Sequence, residues 1–148
     1  MLKRVVKSLL FGAFLGVLLF AGLMFNIVTH EAGHWAVAES MDLSPKIHLF
    51  ESYTNGTVSL FTPNFFTTYK TNNQAKTDAE IALAGPAINA FITLCLVAAY
   101  FAIPESKRTF KLGMIFTVLV LTALVSAVAN MLPVPGTDGS RIWSYLLG

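Results

Sequence analysis

The chain has 148 residues, 55% of them hydrophobic and only 12% charged, with a formal net charge of +2. That length bounds a single domain, residues 1–148, and the composition lies far from the roughly 25% charged residues of an average soluble protein. So small and scattered a positive excess gives no case for nucleic acid as a partner, and the single Cys95 excludes an intrachain disulfide framework.

Lys3, Arg4 and Lys7 precede an apolar run that starts at Leu9. The run is longer than the roughly 7–15 apolar residues of a signal peptide. The nearest small-residue cleavage pattern, Ala36-Val37-Ala38, lies beyond the motif described next, so the segment reads as a retained first span of about residues 9–38. Gly12 and Gly16 stand at small-xxx-small spacing and predict a face for close helix packing. Trp35 reads as an interfacial anchor.

His30-Glu31-Ala32-Gly33-His34 occupies the far end of this run. On a helix, residues four apart share a face, so His30 and His34 can point at one metal ion. Glu31 is then placed to act on water as general base. At about 1.5 Å per residue, His30 lies roughly 32 Å from Leu9, about one hydrocarbon thickness. Ionisable groups at such a depth are costly and are kept for function. The plain alternative is a helix end that has emerged into water.

A long connection runs from about Glu39 to Asp78. Lys46-Ile47-His48-Leu49-Phe50 and Thr57-Val58-Ser59-Leu60-Phe61 alternate on either side of Asn55-Gly56, which predicts a β-hairpin over about residues 46–61. His48 lacks ligand spacing and reads as an ordinary strand residue. Asn55-Gly56-Thr57 also matches a glycosylation sequon, but the turn explains the same residues. Thr62 to Asp78, rich in Thr and Asn, reads as a polar loop.

The second span, about residues 81–103, opens with Ala84-Gly85-Pro86-Ala87-Ile88-Asn89. Proline is tolerated in a helix's first turn, and glycine lets a neighbouring backbone approach. Asn89 lies about two turns inside and needs a hydrogen-bonding partner there, either as a link between helices or as part of a site. The third span, about residues 112–132, carries Ala123, Ser126, Ala127 and Asn130 as a small, polar stripe. It ends in Asn130-Met131-Leu132-Pro133-Val134-Pro135-Gly136-Thr137-Asp138-Gly139, where two prolines must interrupt the helix. Asp138 is open to two readings, an N-cap for the short tail and a metal ligand, which are compatible.

Three alternating spans put the His-Glu-Ala-Gly-His motif, residues 85–89 and residues 130–138 at one level. Two imidazoles, one carboxylate and an open position form a catalytic zinc arrangement, whereas a closed structural site would need a fourth protein ligand. The expectation is therefore an all-α polytopic membrane protein, with three transmembrane helices and a small β-hairpin in the first loop. It would bind one zinc ion per chain, through His30, His34 and Asp138.

The three motifs together resemble the site-2 protease family of intramembrane zinc metalloproteases, and the match covers all three spans. The resemblance implies His30, His34 and Asp138 as zinc ligands and Glu31 as the catalytic acid/base. It also implies a substrate or transition-state contact at Asn130, with Asn89 a further candidate for that role. By analogy, the hairpin is the edge strand that holds an unwound substrate segment. The chain departs from the family in having Thr137 where Leu commonly precedes the aspartate, and in carrying no accessory sensing domain.

The leading expectation is thus hydrolysis of a peptide bond within or near a transmembrane segment of another membrane protein. The alternatives are a catalytically inactive, zinc-stabilised membrane binding module and a zinc hydrolase acting on a non-protein substrate at the interface. Glu31 argues against the module, since structural zinc has no use for a general base. Lys3, Arg4 and Lys7, with Lys107, Arg108 and Lys111, lie on one side of the spans, against Lys46, Lys70, Lys76 and Arg141 on the other. The positive-inside rule then makes the N-terminus cytoplasmic and opens the site away from the cytoplasm, opposite to what the resemblance implies.

Overall fold

The computed structural model describes residues 2–48, 53–54, 57–58, 65–70 and 74–148. Four helices dominate it: α1 (Leu2–Ser40), α2 (Ala75–Ala102), α3 (Phe110–Met131) and α4 (Asp138–Leu147). The first three are long and apolar enough to cross a membrane. At about 1.5 Å per residue, α1 is roughly 58 Å long, well beyond one hydrocarbon thickness. It begins at Leu2, seven residues before the expected start of the span, because no residue in its basic leader breaks a helix.

Helix α2 also starts early, at Ala75, so the last residues of the expected polar loop are helical. Pro86 therefore sits about three turns inside the helix rather than in its first turn. Its missing N–H leaves the carbonyl of Ala82 without the usual helical partner. The far end of α2 is closed by Arg108, which donates from Nε to Ile103 O at 2.8 Å and from Nη2 to Phe101 O at 2.7 Å. A cation on the last carbonyls suits the negative end of the helix. Thr109 caps α3 by accepting from the backbone N–H of Leu112 at 3.2 Å.

α2 is the central helix and packs against α1, α3 and α4. The contacts between helices use small and polar side chains. Ala82, Ala123, Ala127, Asn26, Asn89 and Thr122 are buried, while Leu9, Phe20, Phe91 and Leu94 point outward. The expected packing face at Gly12 and Gly16 is not used, since a methyl group added at either would meet nothing within 4 Å. The close approach of α1 to α3 occurs instead at Gly22, where an added Cβ would lie 3.2 Å from Thr122 Oγ1. Asn26 bridges the same two helices, donating from Nδ2 to Gly22 O at 2.7 Å and to Thr122 Oγ1 at 3.2 Å.

Four short strands lie between α1 and α2: β1 (Lys46–His48), β2 (Tyr53–Thr54), β3 (Thr57–Val58) and β4 (Phe66–Thr68). β2 and β3 pair antiparallel, Thr54 opposite Thr57, around the Asn55-Gly56 position. Those two turn residues, and the outer ends of both expected strands, lie outside the described residues. β1 does not pair with β3, as the hairpin reading requires; it pairs antiparallel with β4, Ile47 opposite Thr67. The segment expected as a polar loop thus contributes a strand. Phe66, Thr67 and Thr68 favour a pleated, half-buried surface, which outweighs the polar composition around them. The pairing is held by side chains: the His48 ring stacks on Phe66 at 4.7 Å between centroids, and its Nε2 lies 2.9 Å from Thr68 Oγ1.

Candidate metal centre

Helix α1 carries His30 and His34 one turn apart, and their Nε2 atoms stand 3.1 Å from each other. Both rings are buried and meet edge-on, with centroids 4.6 Å apart. Asp138 reaches the same point from another element, its Oδ2 lying 2.8 Å from His30 Nε2 and 3.2 Å from His34 Nε2. The three atoms form a small triangle. Zinc bonds of 2.0–2.1 Å in tetrahedral geometry need ligand atoms about 3.4 Å apart, so widening by a few tenths of an ångström admits an ion. His30, Glu31 and His34 also form a buried group able to hold a metal ion, their ligand atoms all within 4.8 Å of one another. The Asp138 oxygen lies closer to both imidazoles than that wider limit, and the Glu31 carboxylate has another partner.

The neighbouring helix orients the imidazoles. His34 Nδ1 lies 2.6 Å from the carbonyl of Ile81, so this nitrogen carries the proton and Nε2 keeps its lone pair for the triangle. His30 Nδ1 stands 3.4 Å from Nδ2 of Asn89. Asn89 is fully buried, with Nδ2 donating to Ser126 Oγ at 2.8 Å. It lies behind His30 and links α2 to α3, and it is not among the residues lining the cavity beside the triangle.

Gly85 makes this arrangement possible. A Cβ there would lie 2.6 Å from His34 Nε2 and 2.7 Å from His30 Cε1, inside the space of both rings. Gly33 does the same for the backbones, since its Cβ would meet Ala84 O at 2.8 Å. These two glycines set how closely α1 and α2 approach at the motif.

The connection after α3 delivers Asp138. Pro133 and Pro135 stop the helix, and the Thr137 hydroxyl lies 2.7 Å from Leu132 O and 2.8 Å from Val134 O, with one proton to share between them. Trp143 Nε1 donates to Met131 O at 2.9 Å, tying α4 back to the end of α3. The expected N-cap role of Asp138 does not occur: Thr137 is the N-cap residue, and Asp138 is the first residue of α4. A carboxylate there sits at the positive end of the helix. Burial acts to raise its pKa, but the His30 and His34 rings beside it outweigh burial and hold the carboxyl at about 2. A ligand that stays ionised suits a divalent cation.

A cavity of about 180 Å³ opens beside the triangle. His30, Glu31, His34 and Asp138 line it, together with Asn130 and residues 65–67 of the loop. Asn130 donates from Nδ2 to Ser126 O at 3.0 Å. Three larger hollows, of about 230, 420 and 480 Å³, carry no His, Cys, Asp or Glu. His48 stays with the β1–β4 pair and takes no place in the site.

Three lining residues escaped the sequence reading: Thr67, Tyr69 and Arg141. Arg141 follows Asp138 by three residues on α4, a spacing that puts both on one face. Tyr69 donates to Asp78 Oδ1 at 3.0 Å; burial, then this bond, pushes its phenol up to about 12. Thr67 Oγ1 donates to Glu31 Oε2 at 2.8 Å and lies 3.1 Å from Glu31 O. The run Phe65-Phe66-Thr67-Thr68-Tyr69 carried a β signal that could have found two of the three.

Comparison of the chain with family profiles, characterised proteins and solved structures finds no match. The likeness to site-2 proteases therefore rests on the three motifs alone.

Proposed function

We propose that this chain is an integral membrane zinc metalloprotease of the site-2 protease type, which hydrolyses a peptide bond within or near a transmembrane segment of another protein. The observation that carries the reading is the triangle of His30 Nε2, His34 Nε2 and Asp138 Oδ2 with the Glu31 carboxylate beside it. All four groups gather where α1, α2 and the start of α4 meet.

His30, His34 and Asp138 would hold the ion. Zinc bound there supplies Lewis-acid polarisation of water and of the scissile carbonyl. Glu31 takes the proton from the attacking water and delivers it to the leaving nitrogen, so that the amine departs neutral. Asn130, which lines the cavity, would meet the carbonyl oxygen of the substrate. Asn89 and the carbonyl of Ile81 keep the two imidazoles oriented. A substrate helix has its own carbonyls hydrogen-bonded, so it must unwind locally before its backbone enters the cavity. The first loop, which contributes residues 65–67 to the cavity lining, is the surface an unwound segment would meet.

The test compares wild type with Glu31→Gln in native membranes. Membrane proteins whose fragments appear only with wild type support proteolysis. Retained zinc with identical fragment patterns would return the inactive binding module. Orientation follows from the basic residues: six lie on the N-terminal side of the spans against four on the other. Cysteine at Asn73, in a Cys95→Ala background, should then react with a membrane-impermeant thiol reagent in intact cells. Labelling only after the membrane is opened reverses the orientation and leaves the chemistry untouched.

A further inference from the structure

Glu31 sits on a helix, yet its carboxylate is held by a strand. A general base must stay within hydrogen-bond reach of the proton it removes, and a glutamate side chain has several rotatable bonds that work against this. Neither imidazole fixes it, because both Nε2 atoms face each other and Asp138. The hydroxyl of Thr67 supplies the constraint. It lies 2.8 Å from Glu31 Oε2 and 3.1 Å from Glu31 O, and a hydroxyl has one proton to share between them. The shorter contact, to a charged acceptor, is the stronger. It occupies Oε2 and leaves Oε1 for the water. Thr67 in turn stands opposite Ile47 in the β1–β4 pair, and both strands pack on α1.

We propose that Thr67 is a positioning residue for Glu31, so that the loop between the first two long helices is part of the catalytic apparatus as well as a wall of the cavity. The proposal rests on the reading of Glu31 as the base. It makes docking of β4 on α1 a condition for turnover: when the strand lifts, the base loses its orientation while the ligands stay in place.

The experiment uses the full-length purified chain loaded with zinc, with fluorophore-labelled casein as an unfolded polypeptide probe. Thr67→Val keeps the shape and removes the hydroxyl, and Thr67→Ser restores it. The expected result for Thr67→Val is a kcat about tenfold lower, a typical loss for a supporting hydrogen bond at a metal site. KM and zinc content should stay within about twofold, and Thr67→Ser should return kcat to near wild type. A Thr67→Val enzyme with unchanged kcat, or one changed only in KM, overturns the proposal, as does a serine variant no better than valine. Hydrogen exchange gives a second measure that needs no substrate. Amides of residues 66–68 should exchange faster in both Thr67→Val and Glu31→Ala, with no further gain in the double variant. Additive effects would mean that the two side chains are not partners. Undiminished casein cleavage by Glu31→Gln strikes the proteolytic reading instead, and is separable from every outcome above.

Discussion

The two halves of α1 behave in opposite ways. From Val5 to Phe20 most large side chains point outward, Leu9 and Val17 each 68% exposed, and Gly12 and Gly16 face open space. From Gly22 onward the helix is gripped: Asn26 bonds to α3, Gly33 presses on α2, and His30, Glu31 and His34 are buried. The residues that bury themselves are the polar and the small ones. In water the larger apolar side chains would be the ones driven inward. Where the surroundings are as apolar as leucine, hydrogen bonds and close packing decide which faces meet. One half of the helix presents an apolar surface outward, and the other forms a wall of the cavity.

That contrast can be broken most sharply at Glu31. Glu31→Gln keeps the ligands and removes the base, so cleavage should fall at least about a hundredfold while zinc content is unchanged. Full turnover by that variant would end the mechanism. Next in size come the ligands. His30→Ala or His34→Ala should drop the metal from about one zinc per chain toward none by elemental analysis, and Asp138→Asn should weaken it. If the aspartate change alters neither metal nor activity, Glu31 becomes the carboxylate ligand and the base must be sought elsewhere.

A single methyl group distinguishes the two halves directly. Gly85→Ala drives a Cβ into both imidazoles and should lower zinc affinity, measured by competition with a chelator, whereas Gly16→Ala meets nothing and should leave it unchanged. Equal affinities for the two variants would show that the site relaxes around the intrusion.

The smallest effect lies in the loop. Because Tyr69 is raised to about 12 by burial and by Asp78, the fold favours its neutral form. Its contribution to stability is complete below about pH 10 and is lost as pH rises through about 12. Tyr69→Phe should flatten that loss in thermal melts of the detergent-solubilised chain. An unchanged slope between those pH values would remove the phenol from the account.

By itself the sequence determined the three long apolar helices, the pairing of two imidazoles on one helix face, and the meeting of the motifs at one level. Each of these follows from period and length: residues four apart share a face, and about twenty apolar residues reach across one hydrocarbon thickness. Local chemistry also marked the breaks, since Pro133 and Pro135 end α3 where no N–H is available. Only the tertiary structure decided the partners. β1 could pair with any strand of suitable edge, and it took β4 because stacking of His48 on Phe66 and the bond from Thr67 to Glu31 favour that register. The position of Asp138 against the two imidazoles was set only by the placement of the chain beyond the prolines. Gly139 settles the placement: an added Cβ would run into the carbonyl of Leu132, so only glycine lets α4 start close enough for the carboxylate to reach both imidazoles. Helix periodicity is a property of neighbours along the chain, and such long-range fits belong to surfaces that meet only once the chain has folded.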